Sequence, residues 1–238
     1  MANLTPGEFR TMQNWIGGTN LGNARFVPPP ADELPQLLGD FENYMNTDHQ
    51  LPPLIQCALL HYQFETMHPF NDGNGRVGRL LITLYLLSLG VLEQPVLYLS
   101  AYLKIHQQEY YDRLQQVRVE GSFEKWIAFF LEGIETVSNM VIDTTRRIQK
   151  LERDDTDRII AAGGSSDGVS FIRFLLQQPV IQIADVEQHL GKSRNTVTKL
   201  INLAESLGVI KQINEGKRNR KYAYSEYVAL LSEGTELN

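Results

Sequence analysis

His68-Pro69-Phe70-Asn71-Asp72-Gly73-Asn74-Gly75-Arg76-Val77-Gly78-Arg79 is the stretch on which the reading of this chain turns. No helix can hold its first half, because Pro69 and the Gly73-Asn74-Gly75 run break any regular repeat. Gly73 and Gly75 flank Asn74 and allow a tight turn, so successive backbone N–H groups point at one spot. Helical periodicity resumes from Arg76, which adds the unsatisfied N–H groups and the positive dipole end of a helix start. Together these features make an anion cradle. Arg76 and Arg79, three apart, share the first turn and can both reach phosphate oxygens. Asp72 offers a hard oxygen ligand at the cradle's edge, where Mg²⁺ bound to phosphates would sit. His68 titrates near neutral pH and can take a proton from an incoming nucleophile. Base, metal ligand, anion hole and two phosphate clamps within twelve residues are the parts needed for in-line transfer at phosphorus.

Outward from this stretch the pattern is mostly helical. Leu34, Leu37, Leu38 and Phe41 repeat at threes and fours, and a second helix follows Pro52-Pro53 and runs to about Met67. After the loop a helix continues to Leu89 and stops at Gly90; further helices are expected over Leu99 to Val117 and Ser122 to about Ile160. Residues 11–30 do not look helical. Trp15-Ile16-Gly17-Gly18, Gly22-Asn23, Phe26-Val27 and a closing Pro28-Pro29-Pro30 suggest a β-hairpin ended by prolines, a better reading than a polyproline ligand. Ala161 to Gly168 reads as a linker. Beyond it, Ile183 to Gly191 reads as a short helix and Ser193 caps a second one, Arg194 to Leu207. Two strands, Val209 to Ile213 and Lys221 to Tyr224, then flank a basic turn, Lys217-Arg218-Asn219-Arg220. Helix, turn, helix and basic hairpin describe a winged helix-turn-helix. The fold class expected is an all-α domain with a small β-hairpin over residues 1–160, a linker at 161–168, and a winged helix-turn-helix domain at 169–238.

Composition narrows the function classes. The 238 residues are 42% hydrophobic and 21% charged, ordinary for a chain that buries a core. No apolar run is long enough to cross a membrane, and the N-terminus lacks the regions of a signal peptide. The single cysteine, Cys57, lies in an apolar run, excludes an internal disulfide and fits a reducing cytoplasm. A net charge of −6 argues against general affinity for nucleic acid. From Ser165 onward nine Lys/Arg face eight Asp/Glu, so only the turn at 217–221 concentrates positive charge. DNA and protein both stay open as partners of this unit, and a homodimer is left open. His61 reads as a satisfied structural histidine; His49, His106 and His189 show no metal-ligand spacing. Phe123, Trp126, Phe129 and Phe130 read as core.

His68 to Arg79 resembles, without departure, the signature of Fic-domain proteins, His-x-Phe-x-Asp/Glu-Gly-Asn-Gly-Arg-x-x-Arg. Residues 15–18 and 26–29 resemble the family's flap, a hairpin that holds a target peptide by strand addition. Tyr110-Tyr111-Asp112-Arg113-Leu114 resembles the segment lining the nucleotide's base and ribose. The C-terminal unit resembles the winged helix often found after bacterial Fic domains.

The resemblance implies a protein adenylyltransferase. His68 would deprotonate a Ser, Thr or Tyr hydroxyl of a target protein docked on the flap, and that oxygen would attack the α-phosphorus of ATP. Asp72 would hold Mg²⁺. Gly73, Asn74 and Gly75 would stabilise the phosphates through their N–H groups, Arg76 on the β-phosphate side and Arg79 at the γ-phosphate. Ala24, Arg25 and Phe26 of the flap, with Tyr110, would contact the adenosine. The family's inhibitory pattern, Ser/Thr-x-x-x-Glu-Gly/Asn, has its nearest match at Ser232 to Glu236, where Leu237 replaces the last residue. The chain is therefore expected to be a fragment or to have its inhibitor on another chain, and to modify itself. A DNA-binding regulator would leave residues 68–79 unexplained. A kinase of the Doc type would depart from Gly-Asn-Gly, and removal of AMP would lean on the missing glutamate.

Overall fold

A computed structural model describes residues 7–47, 50–216 and 219–233. His49, Lys217, Arg218 and the end of the Ser232–Glu236 match lie outside the described residues. The helices are α1 (Leu34–Asn46), α2 (Pro53–Met67), α3 (Asn74–Ser88), α4 (Leu99–Ile105), α5 (Gln107–Glu120), α6 (Phe123–Ala161), α7 (Ser166–Gln177), α8 (Ile183–Leu190), α9 (Arg194–Ser206) and α10 (Ser225–Ser232). The strands are β1 (Val180–Gln182), β2 (Lys211–Gln212) and β3 (Lys221–Ala223). The chain forms two compact units, residues 1–138 and 139–238, and the boundary falls inside α6.

In the first unit α2 is the central helix. It is apolar around most of its circumference, and Cys57, Ala58, Leu60, Tyr62, Phe64 and Met67 are all buried. Burial pushes the Cys57 thiol up to about 12, the behaviour of an inert core residue. α3, α4, α5 and the start of α6 close over α2 with Ile82, Leu86, Tyr102, Leu114, Trp126 and Phe130. The Trp126 indole donates to the carbonyl of Ala58 at 2.9 Å, so this ring is packed and satisfied at once. The expected helix over 99–117 is two helices, hinged at His106.

The expected hairpin at 11–30 is reduced to one antiparallel bridge, Ile16 with Phe26. Its tip is a short 3₁₀ turn, Leu21–Asn23, capped reciprocally by the Asn20 and Asn23 side chains. Gly17 and Gly18 both take positive φ there, and a Cβ on Gly18 would stand 2.3 Å from the Asn23 carbonyl.

The second unit takes in the last part of α6 as well as the helices and sheet that follow it. Leu151 and Ile159 of α6 belong to its core with Phe171, Ile172, Leu175, Val197, Ile201 and Tyr222. Strand order is β1-β3-β2, antiparallel throughout, with Ile181 opposite Tyr222 and Lys211 opposite Ala223. The structure differs from the expected linker at 161–168. Gly164 N–H bonds the Ile159 carbonyl at 2.8 Å, Ser165 caps α7, and Cβ atoms at Gly164 and Gly168 would meet Ile159 at 2.4 and 2.5 Å. These glycines are there for close helix packing, which a composition reading cannot tell from flexibility.

Candidate active site

The loop is built from the end of α2. His68 caps that helix in the left-handed conformation, φ 46°, which costs a side chain bearing Cβ about 1 kcal/mol. Pro69 then prevents the helix from continuing. Arg10 makes this geometry stand. Only 2% exposed, it donates from Nε to the His68 carbonyl at 3.0 Å and from Nη2 to the Met67 and Pro29 carbonyls. Its own N–H bonds the Pro69 carbonyl at 2.8 Å. Asn14 adds Nδ2 contacts to the carbonyls of His68 and Phe70. Nothing local in the sequence marks Arg10 or Asn14, because their bonds to Met67, His68 and Phe70 reach more than fifty positions along the chain.

Asn74 fixes the other side of the loop. It is 2% exposed, accepts from the Phe70 N–H at 2.8 Å and donates back to the Phe70 carbonyl at 2.7 Å. Its side chain therefore shapes the cradle, and only its backbone is left to meet an anion. Gly73 caps α3 at φ 84°, a conformation glycine adopts without strain. The N–H groups of Asn74, Gly75 and Arg76 have no acceptor within the helix, and the dipole of the 15-residue α3 favours negative charge at that end.

Asp72 is exposed, accepts from the Gly73 N–H at 2.7 Å and pairs with Arg76 at 3.2 Å. Among the described residues no cluster of three or more metal-ligating side chains exists. One carboxylate beside an anion cradle suits Mg²⁺, which keeps most of its waters and binds through one or two carboxylates plus substrate phosphates. Arg79 lies one turn further along α3, its Nη1 close against Gly75.

His68 itself is half-buried. Burial pushes its pKa down to about 4, Arg10 and Arg118 push the same way, and the backbone of Glu65 pulls against them. The imidazole is consequently neutral at pH 7, the form that accepts a proton.

The residues expected to line a nucleoside divide. Arg25 pairs with Asp112 at 2.5 Å and lies 5.5 Å from the Tyr111 ring centroid; Phe26 carries the guanidinium of Arg118 3.6 Å from its own centroid. Ala24, at the end of the 3₁₀ turn, has extended backbone. Tyr110 differs from expectation. It is 5% exposed, with its hydroxyl 3.0 Å from His61 Nε2, while His61 Nδ1 stands 3.1 Å from the Gly78 carbonyl. Tyr110 thus braces α2 and α3 from within, and its neighbour Tyr111, 39% exposed, turns its ring outward. Glu65 and Arg118 also surround the cradle and escape notice in the sequence, although a glutamate among Phe64, Thr66 and Met67 is a charge inside an apolar run.

Residues 1–86 match the model of the Fic/DOC family. The protein adenylyltransferase Fic of Culex quinquefasciatus is 32% identical over 144 residues, covering 60% of this chain and 26% of that protein. The protein of the same name from Aedes aegypti is 30% identical over 178 residues, covering 74% and 32%. The chain thus spans about a quarter to a third of the length of these curated relatives. A crystal structure of a Fic family protein from Desulfovibrio desulfuricans G20 aligns over 91% of this chain and 62% of that one, with a TM-score of 0.52 and 23% identity, a likeness of fold.

Proposed function

We propose that this chain, which belongs to the Fic/DOC family, transfers AMP from ATP to a Ser, Thr or Tyr hydroxyl of another protein and to itself. The observation that carries the reading is the juxtaposition, within one loop, of a neutral His68 and the open N-terminus of α3.

Each role follows from where the residue stands. The triphosphate would occupy the α3 N-terminus, where backbone donors are fixed in place and need no reorganisation as charge develops. Arg76 and Arg79 clamp it from the first and second turns. Asp72 would hold Mg²⁺, which supplies charge neutralisation of the phosphates; its present partner, Arg76, is exposed and free to turn to an anion. His68 takes the proton from the target hydroxyl. The oxygen forms a bond to the α-phosphorus, the bond to the bridging oxygen breaks, and pyrophosphate leaves. The flap brings the target within reach by its extended backbone about Ile16 and Phe26. Retention of both glycines and both arginines favours AMP transfer over phosphoryl transfer.

The test is incubation of the protein, alone and with a cell lysate, with Mg²⁺ and ATP labelled at the α- or the γ-phosphate. Label from the α-position that is lost in His68→Ala is expected, on the protein itself and on a lysate band. Label from the γ-position alone would make the chain a kinase, and no label on the chain itself would remove self-modification.

A further inference from the structure

Beneath the cradle lies a carboxylate that the transfer just described does not use. Glu65 occupies the last turn of α2 and is 7% exposed. Ionisable groups from each helix around it face the same region: His61 and His68 from α2, Arg79 from α3, Tyr110 and Arg118 from α5. Gly78 makes room for it, since a Cβ there would lie 2.6 Å from Glu65 Oε1. A Cβ on Gly75 would lie 3.9 Å from that same oxygen and 3.0 Å from Arg79 Nη1, so carboxylate and guanidinium approach one point of the backbone.

The cluster is not arranged for stability. Among the described residues, Glu65 Oε1 is buried with no hydrogen-bond partner, and so is Arg118 Nε. Unsatisfied buried ions are costly, and an apolar side chain would fill such a site better. Both cations near Glu65 also stand at the proposed ligand site: Arg79 on the cradle helix, Arg118 against Phe26 of the flap.

We propose that Glu65 is a positioning residue for the phosphate site, an internal counterion that holds the charges of Arg79 and Arg118 while the cradle is empty and takes up a proton when a nucleoside triphosphate enters. The inference rests on the preceding reading only in taking a triphosphate as the ligand. Burial raises the Glu65 pKa to about 7, and the attraction of Arg79 and Arg118 works against that rise. Phosphates arriving at the cradle draw on the same two cations and add negative charge nearby. Both effects favour the protonated carboxyl, so the complex binds more protons than the free protein. Affinity accordingly strengthens as pH falls from the alkaline side towards 7 and levels off below it.

The experiment is calorimetric titration of the whole chain with Mg²⁺ and α,β-methylene-ATP, in buffers of different ionisation enthalpy. It compares the unmodified protein with Glu65→Gln and Gly78→Ala at pH 7.0 and 8.5. The unmodified protein is expected to take up protons at the alkaline pH and to bind on the order of fivefold more tightly at pH 7. Glu65→Gln should lose both the uptake and the pH slope while binding at least as tightly at pH 8.5. Gly78→Ala, which drives a methyl into the carboxylate, should weaken binding with all charges intact, and it serves as the second variant if Glu65→Gln does not fold. Equal proton uptake and slope in the unmodified and Glu65→Gln proteins would overturn the role of Glu65 and leave AMP transfer standing. No binding by the unmodified protein would overturn both.

Discussion

His61 and His68 are two imidazoles seven residues apart near the end of one helix, and burial lowers both to about 4. The consequence for the two residues differs. For His68 a depressed pKa keeps the base free, so the transfer rate should not fall as pH drops through 6.5, where an ordinary histidine would take up its proton. For His61, wholly enclosed between Gly78 and Tyr110, the consequence is for stability. The folded state resists protonation that the unfolded chain accepts below 6.5. This contribution is complete above pH 6.5 and is lost as pH falls through 4. A shift of that size corresponds to roughly 3 kcal/mol for a fully buried group; His68, partly accessible, adds less. Denaturant unfolding at pH 7 and pH 4.5 should show a smaller acid loss in His61→Gln than in the unmodified protein. An equal loss would mean that His61 is not the titrating group. At this scale the sequence displayed His68, Asp72, Arg76 and Arg79, because their spacing along the chain is the message. Arg10, Glu65 and Arg118 did not show, because each is defined by neighbours from other elements.

At the scale of elements, the loop and α3 are held by the two bonds between Asn74 and Phe70. Asn74→Ala removes both and leaves the part-buried Phe70 N–H without its acceptor, while Asn14 still donates to the Phe70 carbonyl; the loss costs about 1–3 kcal/mol. The variant should remain folded with a lower melting temperature and lose most of its α-label transfer, since the N–H groups of the cradle would no longer be aligned. A lower melting temperature with full transfer would show that the cradle does not depend on this pin. Several elements were legible because their signals are local: Pro53 and Gly90 bracket helices, Ser193 caps α9, and the two helices expected beyond residue 183 are present as α8 and α9, while the two expected strands shorten to β2 and β3. The break at His106 has no such signal, as neither Gly nor Pro marks it. The helix turns there with the His106 ring packed 4.3 Å from Tyr102. The hairpin at 11–30 kept only one bridge; Gln13 spans it through its side chain to the Pro28 carbonyl, and Arg25 and Phe26 engage α5.

At the scale of the whole chain, α6 supplies side chains to two cores. Trp126, Phe129, Phe130 and Ile134 serve the first; Leu151 and Ile159 serve the second. Asp155 of α6 is also buried in the second unit, accepting from the Tyr224 hydroxyl at 2.8 Å and pairing with Arg158. A polypeptide of residues 139–238 should therefore melt cooperatively, whereas residues 162–238, the unit implied by reading 161–168 as a linker, should not. Circular dichroism of the two pieces decides it, and cooperative melting of the shorter one would return the boundary to the glycines. No helix among the described residues is long and apolar enough to cross a membrane.

By itself the sequence determined the family signature of the loop and the helical class, since the motif and helix periodicity are written in short, consecutive spacings. Only the tertiary structure decided which residues hold His68 in its left-handed turn, that Tyr110 faces inward and where the second unit begins. Those outcomes depend on burial and on partners far apart in the chain, brought together only when α2 is enclosed.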